Sequence, residues 1–168
     1  YHKGETSPSI SPSMDIQVSS NFERALFDAY DRDGNAVSKL MDELKQGGFD
    51  VNQGAMEVLR SHFDSGRASE EETSSTITET LKTSGELLCP HSAIGVKVAN
   101  DQPASETPMI TLATAHPAKF PDAVENATGI RPALPARVAQ LFDREERFDV
   151  LPGEYDAVRD YVLARATR

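Results

Sequence analysis

Apolar residues recur at intervals of three and four between Ser19 and Gly85, a spacing that places them on one face of an α-helix. The clearest run follows Ser19 and comprises Phe22, Ala25, Leu26, Ala29 and Tyr30. Similar runs begin after Gly34, at Ala55 and after Ser69. Because each run has a single apolar face, these segments must pack on one another or on a sheet.

Capping residues mark where these helices begin and end. Ser19 or Ser20 is expected to cap the first helix, and Ser69 with Glu72 has the spacing of a capping box for the fourth. Glycine reaches positive φ without strain and therefore often ends a helix. Gly47 and Gly48 are expected to end the second helix, Gly66 the third and Gly85 the fourth.

The second half of the chain adds a strand to this pattern. Met109–Thr114 is an apolar, β-prone run that stops at a polar turn, and it is the one segment predicted as a strand. Periodicity alone allows a helix or a buried strand for the apolar run after Ser92, and a helix is favoured. Further helices are expected after Pro117, near Pro135 and around Val158. The predicted fold class is α/β and helix-rich, with few strands that belong to a larger sheet.

Composition restricts the classes of function open to this chain. Its 168 residues, 38% of them hydrophobic, suffice for one core. A formal net charge of −10 and the lack of a Lys/Arg run argue against nucleic acid as a partner. No apolar stretch approaches the ~20 residues that span a bilayer, and the polar start lacks the apolar centre of a signal peptide. We therefore expect a soluble, cytoplasmic protein with no membrane partner.

Two further features bear on the chemistry. Cys89 is the only cysteine, which excludes an intrachain disulfide and a thiolate-rich metal site and favours a buried thiol. The first residue is Tyr1, so the chain is interpreted as part of something longer. A motif missing from it is accordingly weak evidence about function.

The histidines do not predict a metal centre. His2, His62, His91 and His116 lack the close spacing of a metal-binding helix. His91 and His116 each lie beside a proline at the start of a predicted helix, where the loops of α/β proteins gather functional groups. The alternative is that each histidine bonds the backbone of its own turn. Neither a G-x-S-x-G elbow, a P-loop nor a G-x-G-x-x-G motif occurs in the sequence.

The start of the first helix is a candidate anion site. Helix N-termini offer unpaired N–H groups and a partial positive charge, so Ser19, Ser20 and Asn21, with Arg24 one turn further on, can hold a phosphate or a carboxylate. In the alternative interpretation the serines only cap the helix, and Arg24 pairs with Asp15 or Glu23.

Three longer motifs resemble, in the same order, the C-terminal part of the threonine synthase family of fold type II pyridoxal-phosphate enzymes. They are SPSMDIQVSSNFER at 11–24, CPHSAIGVKVA at 89–99 and LATAHPAKFPDAVENATG at 112–129. The resemblance implies an extended segment and loop at 1–18, the helices and strand of the large cofactor-binding domain at 19–133, and a C-terminal helical tail at 134–168.

The resemblance also implies what this chain lacks. The family's Schiff-base lysine and its glycine-rich loop for the cofactor phosphate are expected upstream of Tyr1, so no residue here is assigned as catalytic. The chain then corresponds to roughly the last third of such an enzyme and should be inactive alone. The remainder of the parent chain is its expected partner.

Roles for individual residues follow from the same resemblance. The Thr114 hydroxyl is expected to face the pyridine nitrogen of pyridoxal 5'-phosphate. His91 and His116 are expected near the same pocket. The family's reaction converts O-phospho-L-homoserine and water into L-threonine and phosphate. Candidate ligands for the substrate phosphate are Ser20, Asn21 and Arg24.

Two alternatives remain open from the sequence. Another fold type II enzyme, such as a threonine or serine dehydratase, shares the architecture but needs no site for a substrate phosphate. The contexts His116-Pro117 and Asn21-Phe22-Glu23-Arg24 favour the synthase. The second alternative is a non-catalytic, acidic helical interaction domain with capping serines and structural histidines.

Overall fold

The computed structural model describes residues 1–166, which contain seven α-helices. The helices are α1 (Phe22–Ala29), α2 (Gly34–Gln46), α3 (Gln53–His62), α4 (Glu70–Ser84), α5 (Pro90–Asn100), α6 (Pro121–Thr128) and α7 (Tyr155–Arg165). Short 3-10 turns cover Pro12–Met14, Pro117–Lys119, Ala136–Val138 and Leu141–Asp143. The chain divides into two compact units, Tyr1–Ala133 and Leu134–Arg168.

The predicted helices are present except for the one expected near Pro135. The apolar run after Ser92 is helical, as favoured, and lies within α5. The third helix ends at His62 rather than at Gly66, because Phe63 already has extended backbone angles. The helix predicted near Pro135 is wrong, since only two short 3-10 turns form there. Phe142, within the second of these turns, is 84% exposed, and a short helix with no apolar face to bury has little to stabilise it.

The cap predicted for α4 is confirmed. The Ser69 side chain accepts the Glu72 N–H at 3.2 Å, and the Glu72 carboxylate accepts the Ser69 N–H at 2.7 Å. Gly85 ends the helix with a φ of 78°, in the left-handed region that glycine tolerates best. Both ends of α4 are therefore set by residues that its own sequence supplies.

The cap predicted for α1 is wrong. Asn21, not Ser19 or Ser20, occupies the cap position, and its side chain makes no capping bond. Instead, the Ser19 hydroxyl donates to Asn21 Oδ1. These two side chains bond each other, so they do not satisfy the first N–H groups of α1.

The predicted strand stays unconfirmed. Residues 1–166 contain no regular strand and one isolated bridge, between His2 and Gly48. Within the Met109–Thr114 segment, three apolar side chains are largely exposed: Met109 at 63%, Ile110 at 80% and Leu112 at 76%. A strand needs a neighbour to complete its backbone hydrogen bonds, and the described part of the chain supplies none here.

One core joins the first three helices. Its buried side chains are Leu26, Leu40, Leu44 and Phe49. Tyr1 covers an edge of it, with ring centroids 5.4 Å from Phe22 and 5.5 Å from Phe49. The Tyr1 hydroxyl also accepts the Ser19 N–H at 2.7 Å. The first residue is thereby fixed beside the start of α1.

A second set of contacts joins α4 to both α5 and α6. Each of these three helices contributes a side chain with 0% of its surface exposed, namely Ile77, Ala93 and Val124. The Thr78 hydroxyl of α4 donates to the Ala127 carbonyl at 2.7 Å. This packing sets the position of the α5 N-terminus, where the motif at 89–99 begins.

His91 at this N-terminus holds the loop before α1. The Ser13 backbone N–H donates to His91 Nε2 at 3.0 Å, and the His91 ring lies 4.5 Å from the ring of Phe120. Because Nε2 accepts, the neutral ring carries its proton on Nδ1. Burial lowers the pKa of His91, nearby Lys119 lowers it further, and Asp15 opposes the change in part.

No helix within residues 1–166 combines the length and the apolar character needed to cross a membrane.

Replacing Leu26 by alanine should lower the free energy of unfolding by about 2 to 5 kcal/mol, because the fully buried side chain leaves a cavity in the first core. Chemical denaturation measures the change. Phe27→Ala on the same helix is the control. Phe27 is 38% exposed, so its replacement should lower the free energy of unfolding by less. Equal losses for the two variants would contradict the assigned core.

The stability of the protein should fall as the pH drops below about 6.5, the ordinary value for histidine. The pKa of His91 is lower in the folded state than in the unfolded state, so the unfolded state takes up the proton first. The variant His91→Gln removes this proton uptake and keeps an acceptor for the Ser13 N–H. Its free energy of unfolding should therefore depend less on pH between about pH 7 and about pH 5.

Denaturation of the wild type, His91→Gln and the exposed-site control His62→Gln across this range tests the prediction. If the free energy of unfolding of His91→Gln changes with pH as steeply as that of the wild type, the prediction is wrong.

Candidate functional site

The Met109–Thr114 segment runs close beside α5. A Cβ atom built on Gly95 would lie 3.0 Å from the Thr111 methyl group, so a larger residue would push the segment away. At the end of the segment the Thr114 backbone N–H donates to Ser92 Oγ at 3.0 Å. Glycine and serine on two successive turns of one helix therefore position the residues up to Thr114.

Three small polar side chains meet at this point. Ser92 Oγ lies 3.2 Å from Thr114 Oγ1 and 3.3 Å from Cys89 Sγ. Cys89 Sγ lies 3.7 Å from Thr114 Oγ1 and accepts the Ser92 N–H at 3.4 Å, as the N-cap of α5. Cys89 and Ser92 are buried, with 1% and 3% of their surface exposed, whereas Thr114 is exposed. The cluster thus joins one exposed residue to two buried ones.

The thiol in this cluster is shifted toward ionisation. Burial acts to raise the pKa of Cys89, but hydrogen bonds with the Ser92 side chain and backbone, Thr114 and the Ala115 backbone lower it by more, because these groups stabilise the thiolate. In the neutral thiol, the sulfur accepts the Ser92 N–H and keeps one proton of its own.

Thr114 borders two cavities. One, of about 590 Å³, is also lined by Met14, His91 and Gly95. The other, of about 440 Å³, is also lined by Ser92 and His116. The two histidines named by the sequence thus lie in different cavities, and Thr114 adjoins both.

Each of these histidines bonds a backbone N–H. His116 Nδ1 accepts from Ala118 at 3.2 Å and caps the turn Pro117–Lys119, as the turn alternative expected. His91 instead accepts from Ser13, which lies far away in sequence. The buried Nδ1 of His91 has no hydrogen-bond partner within residues 1–166. A buried donor of this kind is costly to leave unpaired.

The candidate anion ligands lie elsewhere. Ser19, Asn21 and Arg24 line an open depression of about 640 Å³, together with the Asp28 carboxylate, whereas Ser20 does not line it. Arg24 forms no ion pair with the described residues, so the expected pairing with Asp15 or Glu23 is not found. This depression is separate from the two cavities beside Thr114.

In the part of the chain that the structure describes, no group of three or more His, Cys, Asp and Glu side chains is arranged to hold a metal ion.

Sequence reasoning did not assign Cys89 and Ser92 to the site. Their signal was a cap residue followed by a hydroxyl three positions later, at the start of a helix that opens with proline. That pattern indicates a helix start, and only the tertiary structure shows that Thr114 meets it.

Known proteins match this chain over its length. Residues 92–162 match the family model described as the C-terminal region of threonine synthase. The threonine synthase of Pseudomonas aeruginosa is 51% identical over 100% of this chain and 36% of its own length.

Solved structures of threonine synthases are also similar. That of the pyridoxal-phosphate-bound enzyme from Brucella melitensis has a TM-score of 0.87 at 50% identity, over 99% of this chain and 36% of that chain. The yeast enzyme has a TM-score of 0.78 at 31% identity, over 98% of this chain and 38% of that chain.

The present chain therefore spans little more than a third of each of these proteins. The resemblance expected from the three motifs is confirmed: the chain is similar over its length to threonine synthases, and residues 92–162 match the C-terminal region of that family.

Proposed function

We propose that this chain is the C-terminal part of a threonine synthase, which converts O-phospho-L-homoserine and water into L-threonine and phosphate with pyridoxal 5'-phosphate. The observation that carries the proposal is the similarity of 99% of the chain, at 50% identity, to a threonine synthase with that cofactor bound. The lysine that holds the cofactor would come from the part of the enzyme outside these residues, so this chain alone would be inactive.

The surroundings of Thr114 fit the pyridine end of the cofactor. Thr114 is an exposed residue, and within residues 1–166 its hydroxyl lies within hydrogen-bond distance of two side chains, those of Cys89 and Ser92, which are uncharged in their neutral forms. Each cavity beside Thr114 has one carboxylate in its lining, Asp64 in one and Glu86 in the other, and neither makes a hydrogen bond to Thr114 within residues 1–166. A hydroxyl can donate to the ring nitrogen without protonating it.

When bound, the cofactor withdraws electrons from the substrate carbon atoms, and this chemistry is its own. Thr114 would tune that withdrawal by holding a neutral hydrogen bond at the ring nitrogen. His91, whose Nδ1–H lacks a partner within residues 1–166, would border the cofactor from one of the two cavities beside Thr114, and His116 would border it from the other. Neither histidine is assigned a proton transfer.

Arg24 and Asn21 are the proposed ligands of the substrate phosphate, with Ser20 as a weaker member of the group. The Arg24 guanidinium is exposed and forms no ion pair with the described residues, which leaves its donors available to an anion. The backbone N–H groups of Phe22 and Arg24 already donate to the Ser19 and Asn21 carbonyls, so the proposal depends on the guanidinium rather than on the start of α1. The neighbouring Asp28 carboxylate would oppose a phosphate, which makes the positive charge of Arg24 the more important.

The exposed Met109–Thr114 segment is proposed to be a strand of the enzyme's larger sheet. Its apolar side chains and free backbone groups would be covered by the part of the enzyme that this chain does not include. The remainder of the parent chain would thus be the partner that completes the fold and the site.

Thr114→Val in the intact enzyme should lower kcat about 2- to 10-fold, because the side-chain volume stays similar while one hydrogen bond is lost. Steady-state kinetics at saturating cofactor measures the change, and Thr114→Ser should retain most of the turnover. The matched control is Thr111→Val, three residues earlier on the same segment. Unchanged kcat in Thr114→Val would remove its role at the ring nitrogen.

Arg24→Ala in the intact enzyme should raise KM for O-phospho-L-homoserine about tenfold or more, because a charged hydrogen bond to phosphate is lost. Cofactor affinity, followed by absorbance titration, should change little. Arg60→Ala on α3 is the control for loss of an exposed arginine. If KM is the same as in the wild type, Arg24 has no part in binding the phosphate.

A further inference from the structure

The hydroxyl of Thr114 can be directed either inward or outward. It has one proton, and both Ser92 Oγ at 3.2 Å and Cys89 Sγ at 3.7 Å are within reach as acceptors. If the proton points at either of them, Thr114 offers only lone pairs to a ligand. A donor role at an unprotonated ring nitrogen therefore needs the inner neighbours to donate to Thr114 rather than accept from it.

The hydrogen-bond inventory of Ser92 meets this requirement. One lone pair of Ser92 Oγ accepts the Thr114 backbone N–H at 3.0 Å. The second can accept the Cys89 S–H, since the two atoms lie 3.3 Å apart. The Ser92 proton is then free to point at Thr114 Oγ1. In this arrangement Cys89 donates to Ser92 and Ser92 donates to Thr114. The Thr114 proton is then left for an acceptor outside the cluster.

The sulfur is suited to the inner end of this series. Cys89 Sγ accepts the Ser92 backbone N–H at 3.4 Å, and the residue is almost fully buried. The neutral thiol has one proton, and Ser92 Oγ at 3.3 Å is an acceptor within its reach. No water needs to enter the cluster to satisfy it.

We propose that Ser92 is the positioning residue that directs the Thr114 hydroxyl proton outward, toward the pyridine nitrogen of the cofactor. Ser92 fixes the backbone of Thr114 through the N–H and sets the direction of its side-chain proton through the hydroxyl. The inference rests on the proposed role of Thr114. It concerns Ser92, which is buried and would act through Thr114.

The test uses the intact enzyme loaded with pyridoxal phosphate that carries ¹⁵N in its ring. The ¹⁵N chemical shift of the ring nitrogen reports the hydrogen bond donated to it, independently of turnover. Ser92→Ala should move this shift in the same direction as Thr114→Val and lower kcat about three- to tenfold with little change in KM. The double variant should be no worse than Thr114→Val alone, because both changes remove the same bond.

Two further variants separate positioning from simple loss of packing. Ser92→Thr keeps the hydroxyl and should restore the wild-type ring-nitrogen signal. Ser11→Ala is the control for loss of a buried serine hydroxyl, because Ser11 and Ser92 are both 3% exposed and Ser11 makes no contact with Thr114. It should leave the ring-nitrogen signal in place.

The outcomes distinguish this inference from the function on which it rests. If Thr114→Val moves the ring-nitrogen signal and Ser92→Ala does not, the positioning role of Ser92 is wrong and the role of Thr114 stands. If neither variant moves the signal, the contact of Thr114 with the ring is itself absent and both proposals fail. Additive effects on kcat in the double variant would also contradict the positioning role.

Discussion

The hydrogen bond from the Thr114 backbone N–H to Ser92 Oγ decides where the candidate site lies. The Met109–Thr114 segment has no neighbouring strand in residues 1–166, so its end is located by this bond and by the close approach that Gly95 permits. Ser92 is itself fixed, because Cys89 caps α5 through the Ser92 N–H. The side chain of Thr114 and the two cavities beside it depend on this arrangement.

The buried start of α5 connects this local geometry to the rest of the first unit. Its first four residues, Pro90–Ala93, are all buried, and α4 packs against the helix. His91 bonds the loop before α1 from one side and stacks on Phe120 from another. All three motifs at 11–24, 89–99 and 112–129 therefore meet at one helix end, although they are far apart in sequence.

The two candidate ligand regions differ in the charge of the side chains they offer. The region at Thr114 offers uncharged hydrogen-bonding side chains, which suit an aromatic ring nitrogen, whereas the region at Arg24 offers a guanidinium, which suits a dianionic phosphate. The structure leaves them in separate cavities, and each is open to solvent on the described chain. Both features agree with a chain that contributes surfaces to a larger site and does not enclose one.

The amino-acid sequence by itself determined most of the helices and both ends of α4, since apolar spacing, the Ser69 capping box and Gly85 act within a few residues of each other. It also identified the resemblance to threonine synthases, because the three motifs are long and keep their order. It misplaced the cap of α1, and it could not find Ser92, whose spacing indicates only a helix start. Only the tertiary structure decided that Ser92 and Thr114 meet and that Arg24 lies apart from them, because those contacts depend on how α5 packs against α4 and on the segment that returns beside it.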